Sequence, residues 1–125
     1  MTGLRRDLVK YVRDKAKSKY RKHFECYICR ERENLDFHHY NTLTPLLNKW
    51  VLKRKLEPEN ILEYRDEFIY EHHDELYEET VTLCHSHHLK LHSIYGKAPS
   101  LGTAKKQERW VGIQRKKFED ANGVV

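Results

Sequence analysis

One short stretch, residues 81 to 92, constrains most strongly what this chain can fold into. It reads Val-Thr-Leu-Cys-His-Ser-His-His-Leu-Lys-Leu-His and places one cysteine and four histidines within nine residues. The apolar alternation over Val81–Leu83 predicts a short strand. The next residues predict a helix from His85 to about Tyr95, with Gly96 as its stop.

This stretch offers half of each of two metal sites. On the predicted helix, His88 and His92 lie four residues apart and share one face, so two imidazoles are able to bind one ion. Cys84 and His87 are separated by two residues, which is the spacing of a zinc knuckle. The rest of the chain has to supply the other halves.

A Cys-x-x-Cys pair, Cys26 and Cys29, is the best partner for Cys84 and His87. The four residues make a Cys3His set suited to a tetrahedral structural zinc. A redox role is typical of a lone Cys-x-x-Cys pair, but no βαβ pattern surrounds this one. Three buried thiols are the remaining alternative, and that interpretation leaves the doubled spacing unexplained.

Residues 35–39, Leu-Asp-Phe-His-His, predict a second strand with two adjacent histidines. Alternation places Phe37 and His39 on one face and Asp36 and His38 on the other. One histidine is therefore able to bind a metal while the other faces a substrate. Taken alone, the pair is more simply explained as two surface histidines.

Charge and periodicity organise the rest of the chain. Its 125 residues predict one domain, with a basic helix over residues 1–22, a core over 23–96 and a basic tail helix over 97–125. Net charge is +7 over residues 1–24, −9 over 57–84 and +5 over 85–125, which favours a polyanionic partner. The first predicted helix covers residues 3–20. Two more, from Thr44–Pro45 to about Lys55 and from Ile61 to about His73, make up a helical insertion over about 45–75. Thr103 caps a last helix.

The sequence carries no sign of export or of a membrane span. Its start is charged rather than apolar, and no apolar run is long enough to cross a bilayer. We therefore expect a cytoplasmic protein. In that compartment thiols that bind metal are favoured over disulfides.

The joint pattern of Cys26-x-x-Cys29, Asp36-Phe-His38-His39 and Cys84-x-x-His87-His88-x3-His92 resembles the HNH endonuclease family. The resemblance covers about residues 24–95. It implies an α+β fold with a small ββα-metal core and a zinc knuckle, flanked by terminal helices. The tail from Tyr95 to Trp110 is similar to tails of phage homing-type members. If phage-encoded, the protein is expected in the cytoplasm of a bacterial host.

The resemblance also implies roles for single residues. His39 matches the general base, and His38, His88 and His92 match ligands of the catalytic ion. Cys26, Cys29 and Cys84 match zinc cysteines, with His87 where the family usually has a fourth cysteine. Glu79 stands at the position of the family's middle asparagine, where it would hold the base histidine by accepting a ring N–H.

Phosphodiester hydrolysis needs a water, a base to deprotonate it and positive charge near the leaving oxygen. An imidazole, with an ordinary pKa near neutrality, suits the base. Three imidazoles favour manganese, nickel, cobalt or zinc over magnesium. Magnesium remains open if phosphate oxygens and waters complete its shell.

We expect double-stranded DNA as the partner, with monomer or homodimer left open. The residues predicted to contact its backbone are Arg5, Arg6, Lys10, Arg13, Lys105, Lys106 and Arg109.

The main alternative is a non-catalytic zinc module that binds nucleic acid, which leaves the four remaining histidines unexplained. A zinc protease needs Glu after His88, where Leu89 stands, and the Pro-Cys-x-x-Cys of a zinc deaminase is absent.

Overall fold

The computed structural model describes residues 6–123 and contains a two-stranded antiparallel sheet among helices. The strands are β1 (Leu35–His39) and β2 (Thr80–Cys84), and the helices are α1 (Arg6–Lys17), α2 (Leu43–Lys53), α3 (Ile61–Glu71), α4 (His85–Tyr95) and α5 (Ala104–Ala121). This architecture confirms the predicted α+β class. Across residues 6–123, no helix has the length and apolar character needed to cross a membrane.

The two strands and the helix after them form a ββα unit at the positions the sequence predicts. β1 and β2 pair with Leu35 opposite Cys84 and His38 opposite Val81. α4 comes directly after β2 without a loop and ends at Gly96, whose φ of +89° strains any residue with a Cβ. Strand pairing therefore fixes where α4 lies relative to β1.

α1 is amphipathic, as its periodicity predicts. Leu8, Val9, Val12 and Ala16 are buried, and the helix packs against α2 and α3. Helix is observed from Arg6 to Lys17 within the predicted range of 3–20. The first part of that range, including Arg5, lies outside the described residues.

The start of α2 corrects one prediction. The helix begins at Leu43 after Thr42, not at Thr44–Pro45. Pro45 lies inside the first turn, where a missing N–H removes no helical hydrogen bond, so it does not mark the first position. The Thr42 hydroxyl donates to the Pro99 carbonyl at 2.6 Å and ties this helix start to the segment before α5.

The end of α3 corrects another prediction. The helix stops at Glu71 rather than at about His73, and a π-helical turn over Asp74–Glu78 comes after it. This wide turn buries Leu76 completely and packs against both strands. A single wide turn has no repeating pattern, and the sequence therefore gives no periodic signal for it.

Two apolar clusters hold the fold. The first joins α1, α2 and α3 around fully buried Leu47 and Phe68. The second joins the strands, α4 and α5 around Leu91 and Val111. Helices from both ends of the chain therefore pack beside the ββα unit.

Candidate functional site

Three histidines converge where β1 faces α4. The Nδ1 atom of His38 lies 3.1 Å from Nε2 of His88, and Nε2 of His92 lies 3.0 Å from the same atom. One ligand atom from each of the three lies within 4.8 Å of the others. We call His38, His88 and His92 the histidine triad. Strand pairing supplies the first member, and the helical repeat supplies the other two.

Each triad ring directs its second nitrogen at an oxygen acceptor. The pairs are His38 Nε2 with Gln107 Oε1 at 2.8 Å, His88 Nδ1 with Asp36 Oδ2 at 3.0 Å, and His92 Nδ1 with the Gly96 carbonyl at 2.7 Å. Amide, carboxylate and backbone carbonyl oxygens accept and do not donate, so the ring nitrogen is the donor each time. In the neutral rings, the nitrogens that face one another therefore carry lone pairs.

The chemistry of this donor set fits a divalent transition-metal ion. Burial lowers the pKa of His38 to about 4 and also lowers the pKa of His88, so these rings are neutral at pH 7. Three converging lone pairs repel one another unless a cation lies between them. Outer partners that fix the tautomer are the usual surroundings of metal-bound histidine.

His39 lies on the opposite face of β1 from His38. Its ring contacts those of Tyr20 and Phe37, with centroids 4.5 Å and 5.1 Å away. Burial lowers its pKa to about 4, while a hydrogen bond to the Leu76 carbonyl acts in the opposite direction. Its Nε2 atom is buried without a hydrogen-bond partner. This nitrogen therefore has a lone pair that no hydrogen bond occupies.

A cleft of about 260 Å³ brings His39 and the triad together. Three cations also line it, Arg13 and Lys17 from α1 and Lys97 from the segment after α4. Positive charge beside neutral imidazoles suits an anionic group that carries a reacting centre, such as a phosphodiester.

The structure gives Glu79 a different hydrogen-bond partner from the one that the resemblance implies. Its carboxylate accepts from the Asn41 amide at 3.1 Å, and among residues 6–123 no hydrogen bond joins it to His39. The Leu76 carbonyl instead forms a hydrogen bond with the His39 ring. The physical reason is the π-helical turn before β2, which brings Leu76 rather than Glu79 toward β1.

The second group of predicted ligands, Cys26, Cys29, Cys84 and His87, also comes together. Cys29 Sγ lies 3.8 Å from Cys84 Sγ, and Cys84 Sγ lies 3.2 Å from His87 Nδ1. Sulfurs bound to one tetrahedral zinc lie about 3.8 Å apart, given Zn–S bonds of about 2.3 Å. Burial raises the pKa of Cys29 to about 12, so its thiolate needs a cation beside it. This donor set fits zinc.

Of the described residues predicted to contact DNA, Arg13 lines the cleft and the others do not. Lys10 donates to Asp14 at 2.7 Å on the outer face of α1. The remaining ones are exposed elsewhere on α1 and α5, namely Arg6, Lys105, Lys106 and Arg109. Arg5 lies outside the described residues.

Sequence reasoning missed four residues of this site: Asp36, Lys17, Lys97 and Gln107. Asp36 had a local signal, because alternation places it on the same strand face as His38. Lys17 belongs to the basic face of α1, but nothing in the sequence directs that face at the cleft. Gln107 lies 69 residues from its partner His38. No local pattern reports a contact over that separation.

One family model matches nearly the whole chain. It is the model of the phage T5 nicking endonucleases, described as the nicking endonuclease family, and it matches residues 2–124. No solved structure matches this one.

The lowered pKa of His39 predicts acid sensitivity. Its folded-state pKa of about 4 lies below the ordinary 6.5, so the unfolded chain binds more protons between these values. The resulting stabilisation is complete above about pH 6.5 and is lost as the pH falls toward 4. His39→Phe removes this titration and keeps an aromatic ring beside Tyr20. The loss of unfolding free energy between pH 7 and 5 should shrink by roughly 2 kcal/mol.

Urea unfolding at the two pH values measures this difference. Exposed His73 supplies the matched control, since His73→Phe makes the same replacement outside the cleft. An equal pH dependence in wild type and His39→Phe would contradict the assignment.

Proposed function

The chain belongs to the phage T5 nicking endonuclease family, and from this premise we propose that it is a metal-dependent endonuclease of the HNH type that nicks double-stranded DNA. Membership makes it a DNA endonuclease. The HNH type, the metal and the residue roles are the proposal. The homing-type relationship stays a prediction.

One observation carries the proposal: the histidine triad and the His39 ring line the same cleft, and Nε2 of His39 has no hydrogen-bond partner. A structural site has no use for the second feature. A base, by contrast, needs a nitrogen that is neutral and free to accept. A non-catalytic zinc module would account for the cysteine cluster and leave this cleft without a role.

In the proposed reaction, Arg13, Lys17 and Lys97 bind the non-bridging oxygens of a backbone phosphate and hold it in the cleft. His39 accepts a proton from the attacking water at Nε2 as the water oxygen bonds to phosphorus. The packed rings and the Leu76 carbonyl keep the His39 ring in one orientation. The strand's 3′ oxygen leaves as its bond to phosphorus breaks.

The triad is the proposed site of the catalytic ion. When bound there, a divalent ion supplies Lewis-acid stabilisation of charge on the phosphate and the leaving oxygen. Three imidazole ligands favour manganese, cobalt, nickel or zinc over magnesium on ligand type. Asp36 and the Gly96 carbonyl orient two of the rings by accepting their outer N–H groups.

The site also favours nicking. The part of the chain that the structure describes holds one histidine triad with one adjacent base. A single site of this kind hydrolyses one strand per binding event, whereas cutting both strands needs a second copy or a second encounter.

Cys26, Cys29, Cys84 and His87 are proposed to bind a structural zinc. This cluster lies in the second apolar cluster and joins the turn before β1 to the junction of β2 and α4. The ion would lock the two halves of the ββα unit together.

Protein purified without added metal should therefore contain about one tightly bound zinc per chain, the occupancy of a single structural site. Cys29→Ser should lose that zinc and unfold at a lower temperature, because loss of a structural ion removes folding free energy. Metal analysis and thermal unfolding measure both effects. Exposed Ser86→Ala, beside the cluster, is the control. A folded, chelator-resistant protein without zinc would contradict the site.

His39→Ala should reduce nicking about a hundred- to ten-thousand-fold while leaving DNA binding and both metal sites intact. It removes the proton acceptor and no ligand. His88→Ala should instead weaken binding of the catalytic ion, so excess manganese or nickel should restore part of its activity. Plasmid nicking over a metal titration separates the two variants.

Circular dichroism at each metal concentration checks that both variants are folded. The base assignment fails if folded His39→Ala nicks within a few-fold of wild type, or if metal rescues it. Exposed His73→Ala, which keeps the triad, the base and their hydrogen-bond partners, is the control for loss of an imidazole outside the cleft.

Replacing Arg13 and Lys17 together by Gln should lower the salt dependence of DNA affinity and slow nicking. Each cation that contacts a DNA phosphate contributes about 0.9 to the slope of log affinity against log salt concentration, so removing two lowers the magnitude of that slope by about 2. Exposed Lys116 and Lys117, on α5, are replaced by Gln in the matched control and should leave the slope unchanged. Equal slopes for wild type and the Arg13/Lys17 variant would show that these two cations face solvent and do not contact DNA phosphates.

A further inference from the structure

We propose that Gln107, on the C-terminal helix α5, is a positioning residue that fixes the tautomer of His38 and so prepares it to bind the catalytic ion. The inference rests on the proposed function, because it concerns the same metal site. It makes α5 part of the catalytic centre rather than an appended basic tail.

Gln107 is the point at which α5 reaches β1. Its side chain is fully buried, beside Val111 one turn later on the same face. Its Oε1 atom lies 2.8 Å from His38 Nε2. Its Nε2 atom donates to the Tyr40 carbonyl at 3.2 Å and to Thr103 Oγ1 at 2.9 Å. Both amide hydrogens and the amide oxygen therefore have partners.

These partners allow one orientation of the amide. The Thr103 hydroxyl donates to the Ser100 carbonyl at 2.7 Å, so toward Gln107 it can only accept. The Tyr40 carbonyl also only accepts. A flipped amide would direct its oxygen at two acceptors inside the protein, leaving buried polar groups unpaired. The oxygen of Gln107 is thus held toward His38.

An oxygen at that position determines which ring nitrogen of His38 carries the hydrogen. With hydrogen on Nε2, the ring donates to Gln107 and leaves Nδ1 bare, facing His88 Nε2 at 3.1 Å. With hydrogen on Nδ1, a bare Nε2 would face the amide oxygen in a buried environment. The second arrangement loses a hydrogen bond and blocks the nitrogen that has to bind the ion.

His38 differs from the other two triad members in how it is held. The ring of His92 donates to a carbonyl four residues away, and that of His88 donates to Asp36 beside His38 on β1. Both contacts lie within the ββα unit. The partner of His38 comes from a separate helix, so the metal site is complete only when α5 is docked.

The test compares wild type with Gln107→Leu, which removes the acceptor. Gln114→Leu makes the matched change at a half-buried position on the same helix. The first readout is the tautomer of the His38 ring by ¹⁵N NMR, before metal is added to the triad. The second is Mn²⁺ affinity by titration calorimetry, and circular dichroism reports folding.

We expect hydrogen on Nε2 of His38 in wild type and in Gln114→Leu. Gln107→Leu should show a mixed or reversed tautomer and bind Mn²⁺ about 10- to 100-fold more weakly, the usual loss for an outer partner of a metal ligand. The rings of His88 and His92 should keep their tautomers in every variant.

Two results overturn the inference. One is hydrogen on Nδ1 of His38 in wild type, which decides the matter even if Gln107→Leu does not fold. The other is an unchanged tautomer and unchanged Mn²⁺ affinity in folded Gln107→Leu. If wild type binds no divalent ion at the triad, the proposed function fails, while the tautomer still tests the role of Gln107 separately.

Discussion

The antiparallel pairing of β1 with β2 is the interaction on which both ligand clusters depend. Its register places Leu35 opposite Cys84, at the end of β2 where the cysteine cluster forms, and His38 opposite Val81. Because α4 continues directly from β2, the same register sets the distance from His38 to His88. A slip of one residue would turn His38 to the other face and separate the triad.

Adjacent positions in one strand allow two histidines to do different things. His38 is buried and His39 is half-buried. Burial lowers both pKa values to about 4, so both rings are neutral at pH 7. Their surroundings separate their proposed roles. His38 lies among nitrogen and oxygen partners, whereas His39 lies among aromatic rings with one nitrogen unpartnered. The pleat of the strand makes this division possible.

The cleft draws on both ends of the chain. α1 contributes cations, the tyrosine that comes after it contacts the ring of His39, and α5 contributes the amide that faces His38. Each helix is fixed by its own apolar cluster. The match to one nuclease family spans both helices as well as the ββα unit, in keeping with a site to which all three contribute.

The sequence alone determined the local parts of this protein. Alternation predicted β1 and β2, Gly96 predicted the end of α4, and the spacing of His88 and His92 placed two imidazoles on one helical face. The Cys-x-x-Cys and Cys-x-x-His pairs predicted a shared cluster, which the structure brings together. Each of these features arises from a short repeat or from a ligand spacing that a few residues define.

Only the tertiary structure decided which groups surround those parts. The Leu76 carbonyl, rather than Glu79, contacts His39, because a π-helical turn without a repeating pattern precedes β2. Gln107 reaches His38 across 69 residues, and Lys17 lines the cleft, because apolar packing docks α5 and α1 there. Packing between distant helices depends on the shape of the whole core, and no short stretch of sequence contains that information.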